Sequence, residues 1–475
     1  ARYAQLYVYD PEYAASLRFS NNNELDRTII ENITRELHEV NQLVRIYQTS
    51  FEILSAANES EENPSVTISP SLNIQLYSGT DRRTTNLPSS NEVAMILPDA
   101  TSSETFRHIR LYFRNSSAAR TYTNISQNHA LYMPSHYTLL FPHGENGWNW
   151  GLRLFGSDTR LTQREYYRFR LHQRATEYPI IFKAKRLFQQ YLVDIWAICD
   201  QNKLDWMREN QNSIRADLYG GLEDALIRED ADNRSIGRMI LPSSFPGGPR
   251  FMAKLYQNSM AIVRHFGKPS LFITFTANPR WIEIQRELLP DQNASDRPDL
   301  VSRVFDLKVR ELLKDIKDKK IFGSYRGLVR TVEYQKRGLP HLHLLLFLDP
   351  SHCFNNKEQI DQIISAEIPS KNNDPVLYDI ITRNMVHGPC GDMNPNSPCM
   401  IEDRNGTKRC SKNFPKYTYE ETVVNENGYP FYKRSSIINE ADRYYIRNPL
   451  RNMNNQIEID NRWIVPYNPY LSKKF

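Results

Sequence analysis

The stretch Pro340-His341-Leu342-His343-Leu344-Leu345-Leu346-Phe347 decides how the chain is read. A short apolar run of this kind is a strand, and on a strand residues two apart share a face. His341 and His343 therefore project together, while Leu342 and Leu344 face the opposite, apolar side. Residues 327–335 form a second β run, separated from the first by the Gly-containing loop Lys336-Arg337-Gly338-Leu339-Pro340. Two such runs around a short loop make a hairpin. With Gln335 across from His341 and Glu333 across from His343, both oxygen-bearing side chains lie on the histidine face. Two neutral imidazoles beside Glu333 or Gln335 chelate a divalent ion and leave coordination positions open, as a catalytic metal requires. An isolated His-x-His is more often a pair of ordinary strand histidines. The hairpin offset of Glu333 and Gln335, and a further β run upstream, favour the metal.

That upstream run is residues 270–276, preceded by a helix over 251–266 that Gly267-Lys268-Pro269 stops. A second helix over 300–319 is amphipathic, with Val304, Leu307, Leu312 and Ile316 on one face. The order strand, helix, strand, strand is that of a ferredoxin-like half. Farther out, residues 161–226 are helical and aromatic, and the Pro/Gly-rich loop 228–250 marks a boundary. Residues 1–160 carry short β runs at 5–9, 73–77, 109–113 and 137–140, with one helix near 33–54. The fold class is α+β, in four regions: an accessory α+β domain (1–160), a helical segment (161–240), a core with the metal hairpin (241–350) and a loop-rich remainder (351–475). Arg82, Arg83, Arg107, Tyr112 and Arg114 of the accessory domain can hold a nucleic-acid strand, although a solvated surface is the favoured account of them.

Composition bounds this reading. With 475 residues the chain exceeds the size at which one hydrophobic core stops growing. Its 40% hydrophobic, 24% charged and 11% aromatic content is that of a globular protein. No stretch approaches the roughly 18 unbroken apolar residues of a membrane span, and no secretory layout opens the chain, so a soluble protein without a membrane partner is expected. The net charge of +5 is too small to identify a nucleic-acid partner by itself, so any such argument must rest on local sites. Five cysteines are too few for a disulfide scaffold of this size.

Three of those cysteines form a second constellation. His387-Gly388-Pro389-Cys390 is a tight turn that brings imidazole and thiol together, and Cys399 and Cys410 follow loops able to fold back on it. One histidine and three cysteines suit a tetrahedral structural Zn²⁺, the competing reading being free cysteines in a loop-rich insertion. Cys199 belongs to an apolar helix, and Cys353 has no evident partner.

The run Phe272–Thr276, followed by Glu333-Tyr334-Gln335-Lys336-Arg337-Gly338-Leu339-Pro340-His341-Leu342-His343, resembles the first two motifs of HUH endonucleases. The wording is most similar to Helitron-type rolling-circle transposases. The same holds for Leu241-Pro242-Ser243-Ser244-Phe245-Pro246-Gly247-Gly248-Pro249-Arg250, for His387-Gly388-Pro389-Cys390-Gly391 and for the closing segment from Trp463 to Phe475. The resemblance spans residues 166–475 and is loose over 1–160.

The resemblance implies an HUH core with a five-stranded antiparallel sheet flanked by helices. It implies nicking and joining of single-stranded DNA at transposon ends by transesterification through a 5′-phosphotyrosine, with Mg²⁺ or Mn²⁺ at His341, His343 and Glu333 or Gln335. Mixed imidazole and oxygen ligation favours Mn²⁺. A helicase domain farther along the full-length protein and a nuclear location are also implied. The family's tyrosine helix is expected beyond residue 475; within the chain Tyr467 and Tyr470 are the candidates, although Pro466 and Pro469 oppose a helix there. DNA-contact candidates are Lys336 and Arg337 in the hairpin loop, Arg330 on its strand, and Asn278, Arg280 and Trp281 after the first β run. Two alternatives remain: an end-recognising DNA-binding module inert without the tyrosines, and a metal hydrolase that activates water.

Overall fold

The computed structural model describes residues 26–43, 109–112, 122–211, 241–334, 338–354, 356–402, 406–426, 428–447 and 456–475. These are mixed α+β and fall into two compact units, Ala1–Phe251 with Pro279–Leu300, and Met252–Asn278 with Val301–Phe475. The expected strands at 5–9 and 73–77 lie outside the described residues, as do Arg82, Arg83, Arg107 and Arg114. Among the described residues no helix is long and apolar enough to cross a membrane.

In the first unit, helix α1 (Arg27–Val40) starts where the Asp26 carboxylate accepts the backbone N–H groups of Thr28 and Ile29. Strands β1 (Ile109–Tyr112) and β2 (Tyr122–Ile125) pair antiparallel. The expected strand at 137–140 is instead a helical turn, Tyr132–His136, running into a 3₁₀ turn, Thr138–Leu140. Leu131, Tyr137, Leu140 and Phe141 are all buried, so the run lacks the alternation that separates a strand from a buried helical segment. Helix α2 (Gln163–Arg170) opens on a capping box between Thr162 and Glu165. With α3 (Arg186–Glu209), it packs Tyr167, Phe188, Tyr191, Ile195 and Ile198 onto Leu131–Phe141 in one core. The boundary expected at residue 160 therefore falls inside a continuous core.

In the second unit, α4 (Pro249–Phe266, with its first turn in the other unit) leads to β3 (Leu271–Thr276). Helix α5 (Pro298–Lys317) then precedes β4 (Tyr325–Tyr334) and β5 (Pro340–Leu348). The three strands form one antiparallel sheet in the order β3-β5-β4. The expected five-stranded sheet is thus three-stranded among the described residues, because the remaining β segments pair locally as hairpins. Leu342, Leu344 and Leu346 are fully buried on one face, where Phe305 of α5 stacks on Phe275. Val301, Val304, Phe305, Val309, Leu312 and Ile316 make the buried side of α5; Leu307, expected among them, is exposed. At 3.6 residues per turn, Leu307 lies roughly 160° round the helix from Phe305, on the side away from the buried stripe.

Beyond the sheet, α6 (Pro375–Asn384) packs Leu377 and Ile381 against Ile464 and Tyr467. Between them lie three small hairpins: β6 (Met400–Glu402) with β7 (Lys408–Cys410), β8 (Val423–Val424) with β9 (Pro430–Phe431), and β10 (Tyr444–Arg447) with β11 (Gln456–Ile459). The chain ends in α7 (Pro469–Lys474), although Pro466 and Pro469 were expected to oppose a helix there. Pro469 sits in the first turn, where a missing N–H costs nothing, and the Asn468 side chain caps Leu471 N.

Candidate metal centre

Strand β5 is the middle strand, so both neighbours contribute to the face on which its histidines stand. Across from His341 lie Thr276 of β3 and Glu333 of β4; across from His343 lie Thr274 and Thr331. The pairing of Glu333 is two residues away from the expected one, which placed it opposite His343. A slip of two preserves the face of every side chain, and so Glu333 still stands with the histidines. Its Oε1 is 2.7 Å from His343 Nε2. Gln335, Lys336 and Arg337 lie outside the described residues.

One ligand atom each from Glu333, His341 and His343 lie within 4.8 Å of one another. The two imidazole centroids are 4.5 Å apart. His341 Nδ1 is hydrogen-bonded to Thr276 Oγ1 at 2.5 Å, which leaves Nε2 for an ion. Burial, and then the neighbouring His343, hold the His341 imidazole below its ordinary range, with Glu333 opposing them; the neutral, ligating form is favoured. Phe272 lies flat against His343, 5.5 Å between centroids and 8° between planes, and is itself 63% exposed. A carboxylate and two imidazoles on an exposed sheet face fit a divalent ion with open positions.

Sequence reasoning missed Thr276 and Phe272 as members of this face. The signal was present in the alternation of Phe272, Thr274 and Thr276, but nothing in it said that β3 pairs with β5.

Other candidates fare differently. Arg330 is exposed but pairs with Leu344, so its side chain leaves the sheet on the leucine face, away from the histidines. Asn278 is half-buried just past β3, where Ala277 N donates to Pro340 O. Arg280 and Trp281 belong to the other compact unit. Trp281 is buried there, and its carbonyl accepts the N–H groups of Ile284 and Gln285, so it is a packing residue and not an open platform for bases. Tyr467 is buried with its hydroxyl donated to the Glu367 carbonyl at 3.0 Å. Tyr470 directs its hydroxyl to Asp315 Oδ2 at 3.3 Å, on α5. The same C-terminal segment sets Phe475 against Phe275, on the leucine face. The structure therefore brings neither tyrosine to the histidines.

Residues 166–346 match the family model of the Helitron helicase-like domain at N-terminus. Over that stretch the chain is similar to a Helitron-type N-terminal domain. No curated protein matches it. The matched stretch contains Glu333, His341 and His343, and so the metal face belongs to the part that carries the likeness.

The second constellation is also assembled: His387, Cys390, Cys399 and Cys410 each place a ligand atom within 4.8 Å of the others.

Proposed function

We propose that the chain is the metal-bearing part of an HUH-type enzyme that nicks and joins single-stranded DNA at transposon ends. The observation that carries this reading is the grouping of Glu333, His341 and His343 on the exposed face of an antiparallel sheet, within the Helitron-like stretch. A bound Mg²⁺ or Mn²⁺ would offset charge on the oxygens of the scissile phosphate. The chain's own residues hold the ligands in place and present the strand. Phe272 offers an exposed ring beside His343 for a splayed base, and Lys336 and Arg337 adjoin the same hairpin for phosphates. In the reaction a tyrosine oxygen bonds to phosphorus as the bond to the 3′ oxygen breaks, and the leaving oxygen takes up a proton. We assign this nucleophile to neither Tyr467 nor Tyr470; the tyrosine helix expected beyond residue 475 remains part of the proposal. The placement of those two tyrosines equally favours a second reading, an end-recognising module that does not cut alone.

The decisive experiment incubates 3′-labelled single-stranded DNA bearing a candidate transposon end with Mn²⁺ and either this chain or a version extended past Phe475. A labelled covalent adduct on the extended version alone supports the proposal with the nucleophile outside the chain. Free 5′-phosphate ends without adduct would replace it with a metal hydrolase, and binding without cleavage by both versions would leave the recognition module.

Thr276 supplies a separate check. When His341 ligates through Nε2, its Nδ1–H donates to Thr276 Oγ1, fixing tautomer and ring orientation. Thr276→Val is expected to weaken Mn²⁺ binding about 10- to 100-fold, measured by titration calorimetry, while Thr276→Ser retains it. Equal affinity in all three proteins would remove Thr276 from the site.

A further inference from the structure

The segment 385–465 has little with which to hold itself together. Among the described residues its strands are two to four residues long, and its buried cluster is Cys390, Cys410, Ile459 and Trp463, with residues such as Met400, Phe414 and Ile446 only partly buried against it. Segments this poor in core need a covalent or metal staple. All five cysteines of the chain are free of disulfides.

Four donors meet inside that cluster from three separate turns. The first turn is built around Trp463: Gly388 has φ +104, and a Cβ there would stand 3.0 Å from both the Trp463 ring and Cys390 N. Only glycine lets His387 and Cys390 wrap the indole so closely. The β6–β7 hairpin supplies the rest, since Met400 pairs with Cys410 and Ser411 N donates to Cys399 O at 2.8 Å. Cys410 Sγ is 3.3 Å from His387 Nε2 and accepts the N–H of Lys412 at 3.3 Å. The His387 ring is stacked on Phe414, 4.2 Å between centroids. Three sulfurs and one imidazole nitrogen thus converge within 4.8 Å of one another, with Cys390 and Cys410 buried.

We propose that His387, Cys390, Cys399 and Cys410 bind one Zn²⁺ as a closed, tetrahedral structural site. Three sulfurs and one nitrogen select zinc over the hard ions suited to Glu333, His341 and His343, and four protein ligands leave no position for substrate. Each thiol that ligates gives up its proton. The site ties the turn at 387–391 and the β6–β7 hairpin to Trp463, from which the chain runs on to Tyr467 and α7. His387 N donates to Trp463 O, and Val465 N to Met385 O, each at 2.8 Å. Zinc thereby organises the segment that delivers α7 and Phe475 to the back of the sheet. The proposal stands independently of the nuclease reading.

The test uses the full chain with His341→Ala and His343→Ala, which silences the first centre. Elemental analysis of this protein is expected to find one zinc per chain, and a further Cys399→Ser change is expected to lose it. Because loss of a cysteine can also unfold the segment, Co²⁺ is substituted into the chain with its cysteines intact. Intense visible bands of tetrahedral Co²⁺ with thiolate charge-transfer absorption are the expected spectrum. Weak octahedral bands, absence of zinc after reconstitution with Zn²⁺, or a free-thiol count that reveals a disulfide among these cysteines would each overturn the proposal.

Discussion

Replacing His341 and His343 together by alanine is expected to lower metal-dependent strand cleavage by at least about 10³-fold, the scale of losing the groups that stabilise transition-state charge. Glu333 alone cannot retain an ion, since its carboxylate is exposed and its bond to His343 Nε2 disappears with the ring. The fold should tolerate the change. Both imidazoles stand on the exposed face, whereas the buried Leu342, Leu344 and Leu346 carry the packing. Thermal unfolding of the double variant is expected to stay close to that of the parent, as for surface changes generally. Leu344→Ala should behave in the opposite way, costing about 2–5 kcal/mol with the ligands intact. Adduct formation rates and unfolding curves on the same three proteins, each extended past Phe475, separate the effects. Full cleavage by the double variant would remove the metal face from the chemistry.

The second large effect lies away from that face. Arg434 is 4% exposed, and its Nη1 donates to the carbonyls of Ala366 at 3.2 Å, Ile464 at 2.8 Å and Asn461. Its backbone is paired with Tyr419 in both directions. Burial draws the guanidinium down to about 10, still well above neutral pH, so the group remains charged. Here one side chain satisfies three carbonyls from two stretches of chain. Arg434→Ala takes this donor from all three carbonyls, of which Asn461 O keeps the N–H of Ile464 at 3.3 Å, and the expected cost is about 3–5 kcal/mol. Arg434→Lys should recover part of the loss, because all three contacts come from the single nitrogen Nη1 and an ammonium offers three donors on one nitrogen. Denaturant unfolding would measure both, and a loss under about 1 kcal/mol for Arg434→Ala would show that the carbonyls find water instead.

The expected four-region layout illustrates where sequence reading loses force. Residues 131–141 and 167–198 share one core, and only the burial of Tyr137, Leu140, Phe141, Phe188 and Tyr191 against one another reveals it. Trp281 was a DNA-contact candidate because it follows the first β run, and packing against the next helix suited it equally. Its burial in the packing of the other unit shows the limit of judging one side chain by type.

What the sequence determined by itself was local and periodic. Alternation along a strand placed His341 and His343 on one face and the leucines on the other, and it kept Glu333 with them despite a register two residues from the expected one. Those relations follow from backbone geometry within one hairpin and need no knowledge of the rest of the chain. The tight turn from His387 to Cys390 was legible for the same reason. Tertiary structure decided the remainder. Strand β3 docks on β5 so that Thr276 reaches His341 across 65 positions of sequence, and Phe272 covers His343. Tyr467 is drawn into a core, and Arg434 closes over three distant carbonyls. Such partners are set by which apolar faces bury one another across long connections, and no period in a linear sequence records that choice.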